Sequence, residues 1–167
     1  MNETIIGIFI GAVITFMLNY LLESSKHKMS IKKYNYDIKR NKLEEFYILI
    51  ENSIKFSVNS TLRMSLILYH GKESANKMEF NHTADDFIKL TNIINMYFSD
   101  DEILIKLINK ANNEFKKGQE VNGIIYTGKS KNKDETNNML IKEWKQFGET
   151  ANQIKKEIPR LYQSLIT

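Results

Sequence analysis

Nineteen consecutive residues without a charge, Thr4 to Leu22 (TIIGIFIGAVITFMLNYLL), constrain this chain more than any other feature. As a helix, a run of that length extends about 28 Å, close to the ~30 Å hydrocarbon thickness of a bilayer. A cleaved signal peptide would need a basic start, a shorter apolar core and small residues before the cut. The chain instead begins Met-Asn-Glu-Thr, and "LLESSK" follows the run. A buried helix of a soluble core, apolar all round, would need more surrounding apolar surface than the chain offers. The reading is a transmembrane anchor over residues 1–23.

The flanks set its orientation. Before the run stands only Glu3; after it come Lys26, Lys28, Lys32, Lys33, Lys39, Arg40 and Lys42 against Asp37 alone. The positive-inside rule puts this cluster in the cytoplasm, the N-terminus outside, and the chain in a cell (inner) membrane. Residues 24–42 then form a basic juxtamembrane stalk. Its seven cations are candidates for contact with anionic lipid head groups, each contributing about 1 kcal/mol near a charged surface. The stalk carries +6 of a total of +4, which leaves the remainder at −2. A nucleic-acid binder spreads its positive face over the folded domain, so no nucleic-acid partner is expected. Within the span, Gly7, Gly11 and Thr15 recur every four residues. That spacing lets membrane helices approach closely and makes them candidates for self-association into a homo-oligomer.

Residues 43–167 read as a helical bundle domain. The whole chain has one proline, seven glycines and no cysteine, which favours helices and excludes disulfides and thiolate metal sites. Leu43, Tyr47, Ile50, Ile54, Val58, Leu62, Leu66 and Tyr69 step by three or four and predict one long helix, ending at Gly71. Thr83 heads a short helix from about Ala84 to Tyr97 with Phe87, Leu90 and Ile94 inward. Ser99 to Glu102 reads as a capping box for a second short helix with Ile103, Leu107, Ala111 and Phe115, stopping at Gly118. Leu140, Trp144, Phe147, Ala151, Ile154, Ile158, Leu161 and Leu165 form a heptad seam that crosses Pro159, where a bend is expected. The expected fold is therefore all-α. An N-terminal single transmembrane helix and a basic stalk lead into an antiparallel cytoplasmic bundle of two long and two short helices.

One stretch matches a catalytic pattern. Gly123 to Ser130 (GIIYTGKS) has the letters of a phosphate-binding loop. Such a loop follows a buried strand and opens a helix. Here the upstream segment is polar, the middle four residues are bulky, and no sheet can be assembled around them. The expectation is a basic surface loop with Gly118, Gly123 and Gly128 as turn residues. Glu79 and His82 echo half of a di-iron motif whose second half is missing. No catalytic residue, cofactor or metal is expected, and the chain is not read as an enzyme. The favoured function is a membrane-anchored protein-interaction module (adaptor, regulator or assembly factor) whose partners are the bilayer and a second protein. The alternative is an oligomerising membrane-active effector, such as a toxin or defence protein. A nucleotide-binding enzyme using Gly123–Ser130 ranks third. Abundant Lys, Asn and Ile suggest low-GC bacterial or phage coding.

Overall fold

The computed structural model describes the backbone of residues 2–76 and 83–166 and the side chains of residues 15–76 and 83–165. Its helices are α1 (Asn2–His70), α2 (Lys72–Ala75), α3 (Ala84–Tyr97), α4 (Glu102–Tyr126) and α5 (Lys133–Ile166). No strand occurs among the described residues. The chain divides into two compact units, Met1–Arg40 and Asn41–Thr167.

In the first unit the described side chains from Phe16 to Leu22 are exposed, including Phe16, Met17, Leu18, Tyr20, Leu21 and Leu22. Among the described residues no helix is long and apolar enough to cross a membrane. Of the expected span, side chains 4–14 lie outside the described residues, Gly7 and Gly11 with them. The structure therefore does not supply the single membrane span that the sequence suggests.

The second unit is a helical bundle whose directions follow from cross-helix contacts. Ser65 donates to Asn137 (2.7 Å) and Tyr69 to Asp134 (2.7 Å), while Lys155 pairs with Glu51; α1 and α5 thus run antiparallel. Arg160 meets Asp101 at 2.8 Å and Trp144 meets Asn122 at 3.1 Å, so α4 and α5 are antiparallel as well. The Asn122–Ser60 bond and the Phe56–Phe115 ring contact run α4 parallel to α1. Phe87 against Phe115 and Phe98 against Phe46 set α3 antiparallel to both.

The heptad seam of α5 is the most regular part of the core. Leu140, Trp144, Phe147, Ala151, Ile154, Ile158 and Leu161 are all buried within this chain. The helix runs through Pro159 to Ile166, and Arg160 clamps its far end. The Arg160 guanidinium bonds both Asp101 and Glu157. Asp101 in turn caps α4 by accepting from the Leu104 N–H at 2.9 Å. The charged partner and that N–H hold the Asp101 carboxyl below its ordinary range, the Arg160 hydrogen bond having the larger effect.

Several expectations change. The bundle has three long helices, because α4 does not stop at Gly118 but continues for two more turns. The Trp144 ring lies directly on the α4 backbone at Gly118; a Cβ there would sit 2.8 Å from a ring carbon. Gly118 is thus a packing residue inside a helix and not a turn. The α4 cap is Asp101 and not Ser99. Helix α5 starts at Lys133, seven residues before the seam. Asn132 Oδ1 accepts the N–H groups of Asp134 (3.1 Å) and Glu135 (3.3 Å), which makes a sound N-terminus.

The inner face of α1 also differs. Its buried line is Leu43, Phe46, Leu49, Ile50, Ser53, Ser57, Ser60, Ile67 and Leu68. Tyr47, Val58, Leu62 and Tyr69, counted as core by spacing, are exposed. Serines take three consecutive inner positions, 53, 57 and 60. A Cβ on Gly148 would stand 3.5 Å from Ser57 Oγ. Ser53 and Ser57 return their hydroxyl protons to the helix, to Leu49 O and Ile54 O at 2.7 Å each, so their burial leaves no donor unsatisfied.

Candidate functional site

Five rings form the centre of the bundle. Phe115 and Trp144 stand edge to face at 5.6 Å, Trp144 and Phe147 at 5.7 Å, and Phe56 and Trp144 at 5.5 Å. Phe87 joins through Phe115 and Phe147 at 4.8 and 4.9 Å. Each such pair adds about 0.5–1.5 kcal/mol beyond the area it buries. The indole N–H of Trp144 cannot be left unpaired at this depth, and Asn122 Oδ1 accepts it at 3.1 Å. The Asn122 amide then donates to Ser60 Oγ at 3.1 Å. A short polar chain thus runs from the aromatic centre to the α1/α4 boundary and fixes which way the Asn122 side chain faces.

Two depressions flank α1. The first, of about 460 Å³, lies between α1 and α5. Ile54, Val58 and Leu62 line it from α1; Ile141, Trp144 and Gly148 line it from α5. Ser57, Thr61 and Asn152 also line it, with Lys145 and Glu149 4.0 Å apart, but most of its lining surface is apolar. Val58, Leu62 and Ile141 remain 55%, 51% and 44% exposed. The second, of about 430 Å³, lies between α1 and α4 and is more polar, with Asn59, Ser60, Arg63, Gln119 and Asn122 beside Phe56, Met64 and Tyr126.

The Gly123–Ser130 stretch has a clear local structure. Gly123 to Tyr126 form the last turn of α4. Gly128, at φ +70°, closes the helix: its N–H bonds Ile125 O at 3.1 Å, and the Lys129 N–H bonds Ile124 O at 3.0 Å. This is a Schellman end, and only the third glycine of the expected turn set needs a left-handed backbone. The Thr127, Gly128 and Lys129 N–H groups, which a phosphate cradle would turn outward, cap helix carbonyls here. The match thus lies at a helix C-terminus, the end with negative partial charge.

The other expected residues are scattered. Thr15, Lys26, Lys28, Lys32, Lys33 and Arg40 are exposed and Lys39 is half-buried. Lys42 belongs to the bundle, where it pairs with Glu45 at 2.6 Å and lies 5.7 Å from the Tyr97 ring. His27 and His70 are exposed on α1. Glu79 and His82 lie outside the described residues, among which no cluster of metal-ligating side chains occurs.

Comparison with protein families, with curated proteins and with solved structures returns no match for this chain. What is defined is a class, an all-α bundle.

Proposed function

We propose that this chain is a single-pass, membrane-anchored protein whose helical bundle is a docking module for another protein. The observation that carries the docking half is the α1/α5 groove. Val58, Leu62 and Ile141 stay exposed together around one depression whose open surface is mostly apolar, while Leu140, Ile154, Ile158 and Leu161 of α5 are buried. Contiguous exposed apolar surface of this kind marks interaction sites. The anchor half is supported by the uncharged Thr4–Leu22 run and by the exposed apolar side chains at its end. The basic cluster then faces the cytoplasmic leaflet, and the bundle is cytoplasmic.

Affinity capture from detergent extracts tests the docking half. Wild type should return a stoichiometric partner, and Leu62→Asp should lose it while keeping its thermal midpoint. Equal recovery with Leu62→Asp would refute the groove as the docking face. Reporter fusions test the anchor half: a C-terminal alkaline phosphatase should be inactive, and activity outside the cell would reverse the orientation.

A further inference from the structure

The stalk distributes its charges more strictly than a topology signal requires. Helix α1 is unbroken from Asn2 to His70, so each stalk residue has a fixed place around one axis. Ile31, Tyr34 and Ile38 fall at i, i+3 and i+7 and form one stripe. Ile31 and Tyr34 are 47% and 67% exposed, and Ile38 is half-buried. With Leu22 at the end of the span, Ile31 and Ile38 stand about 14 and 24 Å further along the axis. A head-group layer is about 5–8 Å deep, so lipid does not cover the stripe.

With Ile31 and Ile38 at heptad position a and Tyr34 at d, every charge from Glu23 to Lys42 finds a place. Lys26, Lys33 and Arg40 fall at c and Lys32 and Lys39 at b, the positions turned away from a partner helix. Lys28 and Lys42 flank the stripe at e, and Glu23 and Asp37 flank it at g. Each carboxylate precedes its lysine by five residues, Glu23 to Lys28 and Asp37 to Lys42. That spacing cannot close within one helix, where neighbours are three or four apart. It is the g-to-e step between two parallel helices of the same sequence in register. Flanks of opposite sign are what a second copy satisfies by symmetry.

We propose that the stalk forms a parallel two-stranded coiled coil with a second copy of this chain. Ile31, Tyr34 and Ile38 make its seam, and Glu23 of each copy pairs with Lys28 of the other. Asp37 and Lys42 repeat that step, although Lys42 also bonds Glu45 of its own chain. Ser24, His27 and Asn41 fill the remaining seam positions, so the seam is weak by itself. Two copies held in one membrane are concentrated enough to close it, and copies of one topology run parallel there. The pairing uses no residue of the docking groove.

The chain has no cysteine, so single introduced cysteines report the contact without background. They are placed at 29, 31, 33, 34, 36 and 38 of the full chain, reconstituted in phosphatidylcholine vesicles, which offer the lysines no anionic head group. A disulfide needs Cα atoms within about 7 Å, so on mild oxidation positions 31, 34 and 38 should dimerise at least about fivefold faster than 29, 33 and 36. Glu23→Lys should slow the crosslinking of Tyr34→Cys at least about threefold, and adding Lys28→Glu should restore it. Equal rates at all six positions would show collision alone and overturn the proposal. Fastest rates at 29 and 36, or no dimer at any position, would do the same. An unchanged rate with Glu23→Lys, or no recovery on adding Lys28→Glu, would overturn the parallel pairing.

Discussion

Helix α1 belongs to two units, and its residues behave differently in each. Around Phe16–Leu22 the side chains are large, uncharged and exposed. From Leu43 onward the same helix turns Leu43, Phe46 and Ile50 wholly inward and continues its inner line through Ser53, Ser57 and Ser60 to Ile67 and Leu68. The first stretch is apolar on every side and so has no face to bury; the second is amphipathic and closes a core. Helical backbone alone therefore says little about a segment's solvent. The distribution of apolar side chains around the helix decides whether lipid or protein is expected to cover it.

The sharpest way to break this contrast is to remove a residue from each part. Trp144→Ala deletes the ring that touches Phe56, Phe115 and Phe147 and leaves Asn122 Oδ1 without its donor. A loss of about 3–5 kcal/mol is expected in denaturant unfolding. Phe16→Ala should leave that unfolding curve unchanged.

Within the bundle, the glycines provide a second comparison. Gly118→Ala forces a methyl group against the Trp144 ring, which the aromatic cluster and the Asn122 bond hold in place. Overpacking costs about 1–3 kcal/mol, and the gain in helix propensity returns up to about 1. A net loss should appear as a lowered thermal midpoint. Gly123→Ala, one turn and a half further along, meets open space, so the same substitution should stabilise by about 0.5–1 kcal/mol. Opposite signs at these two positions would separate the packing glycine from the replaceable one.

The ion pairs give a smaller effect with a defined pH dependence. Asp101 is held below its ordinary pKa chiefly by its hydrogen bond with Arg160, and Glu51 chiefly by its hydrogen bond with Lys155. Groups with depressed folded values stabilise the fold above the unfolded carboxylate range, about 4, and lose that contribution as pH falls through the folded values. Melting from pH 7 to pH 3 should therefore show a fall in stability that is shallower in Arg160→Ala. Because the Arg160 side chain is 42% exposed, solvent screening limits that difference to about 1 kcal/mol or less.

The legibility of the sequence follows the same division. The α5 seam could be read directly because its buried positions from Leu140 to Leu161 are apolar apart from Thr150, with only Ala151 small among the apolar ones. The inner face of α1 could not. Ser57 lies against Gly148 and Ser60 bonds Asn122, and a reading by hydropathy passes over the buried serines at 53, 57 and 60 to the aliphatic neighbours Val58 and Leu62. Gly118 looked like a stop because its reason, an indole ring from 26 residues further along the chain, is tertiary. The α1/α4 cleft was equally hidden, since Asn59, Ser60, Gln119 and Asn122 are the residue types that cover any helical surface. Only the Trp144–Asn122–Ser60 chain distinguishes them.

Site-specific photocrosslinking in intact membranes tests the central contrast most directly, with the photoreactive side chain placed at position 62 or at position 16. Both positions are exposed and apolar, and the account assigns them different neighbours. Position 62 should give a protein adduct of one defined mass, and position 16 should give lipid adducts. A lipid adduct from position 62, or no lipid labelling from position 16, would contradict it.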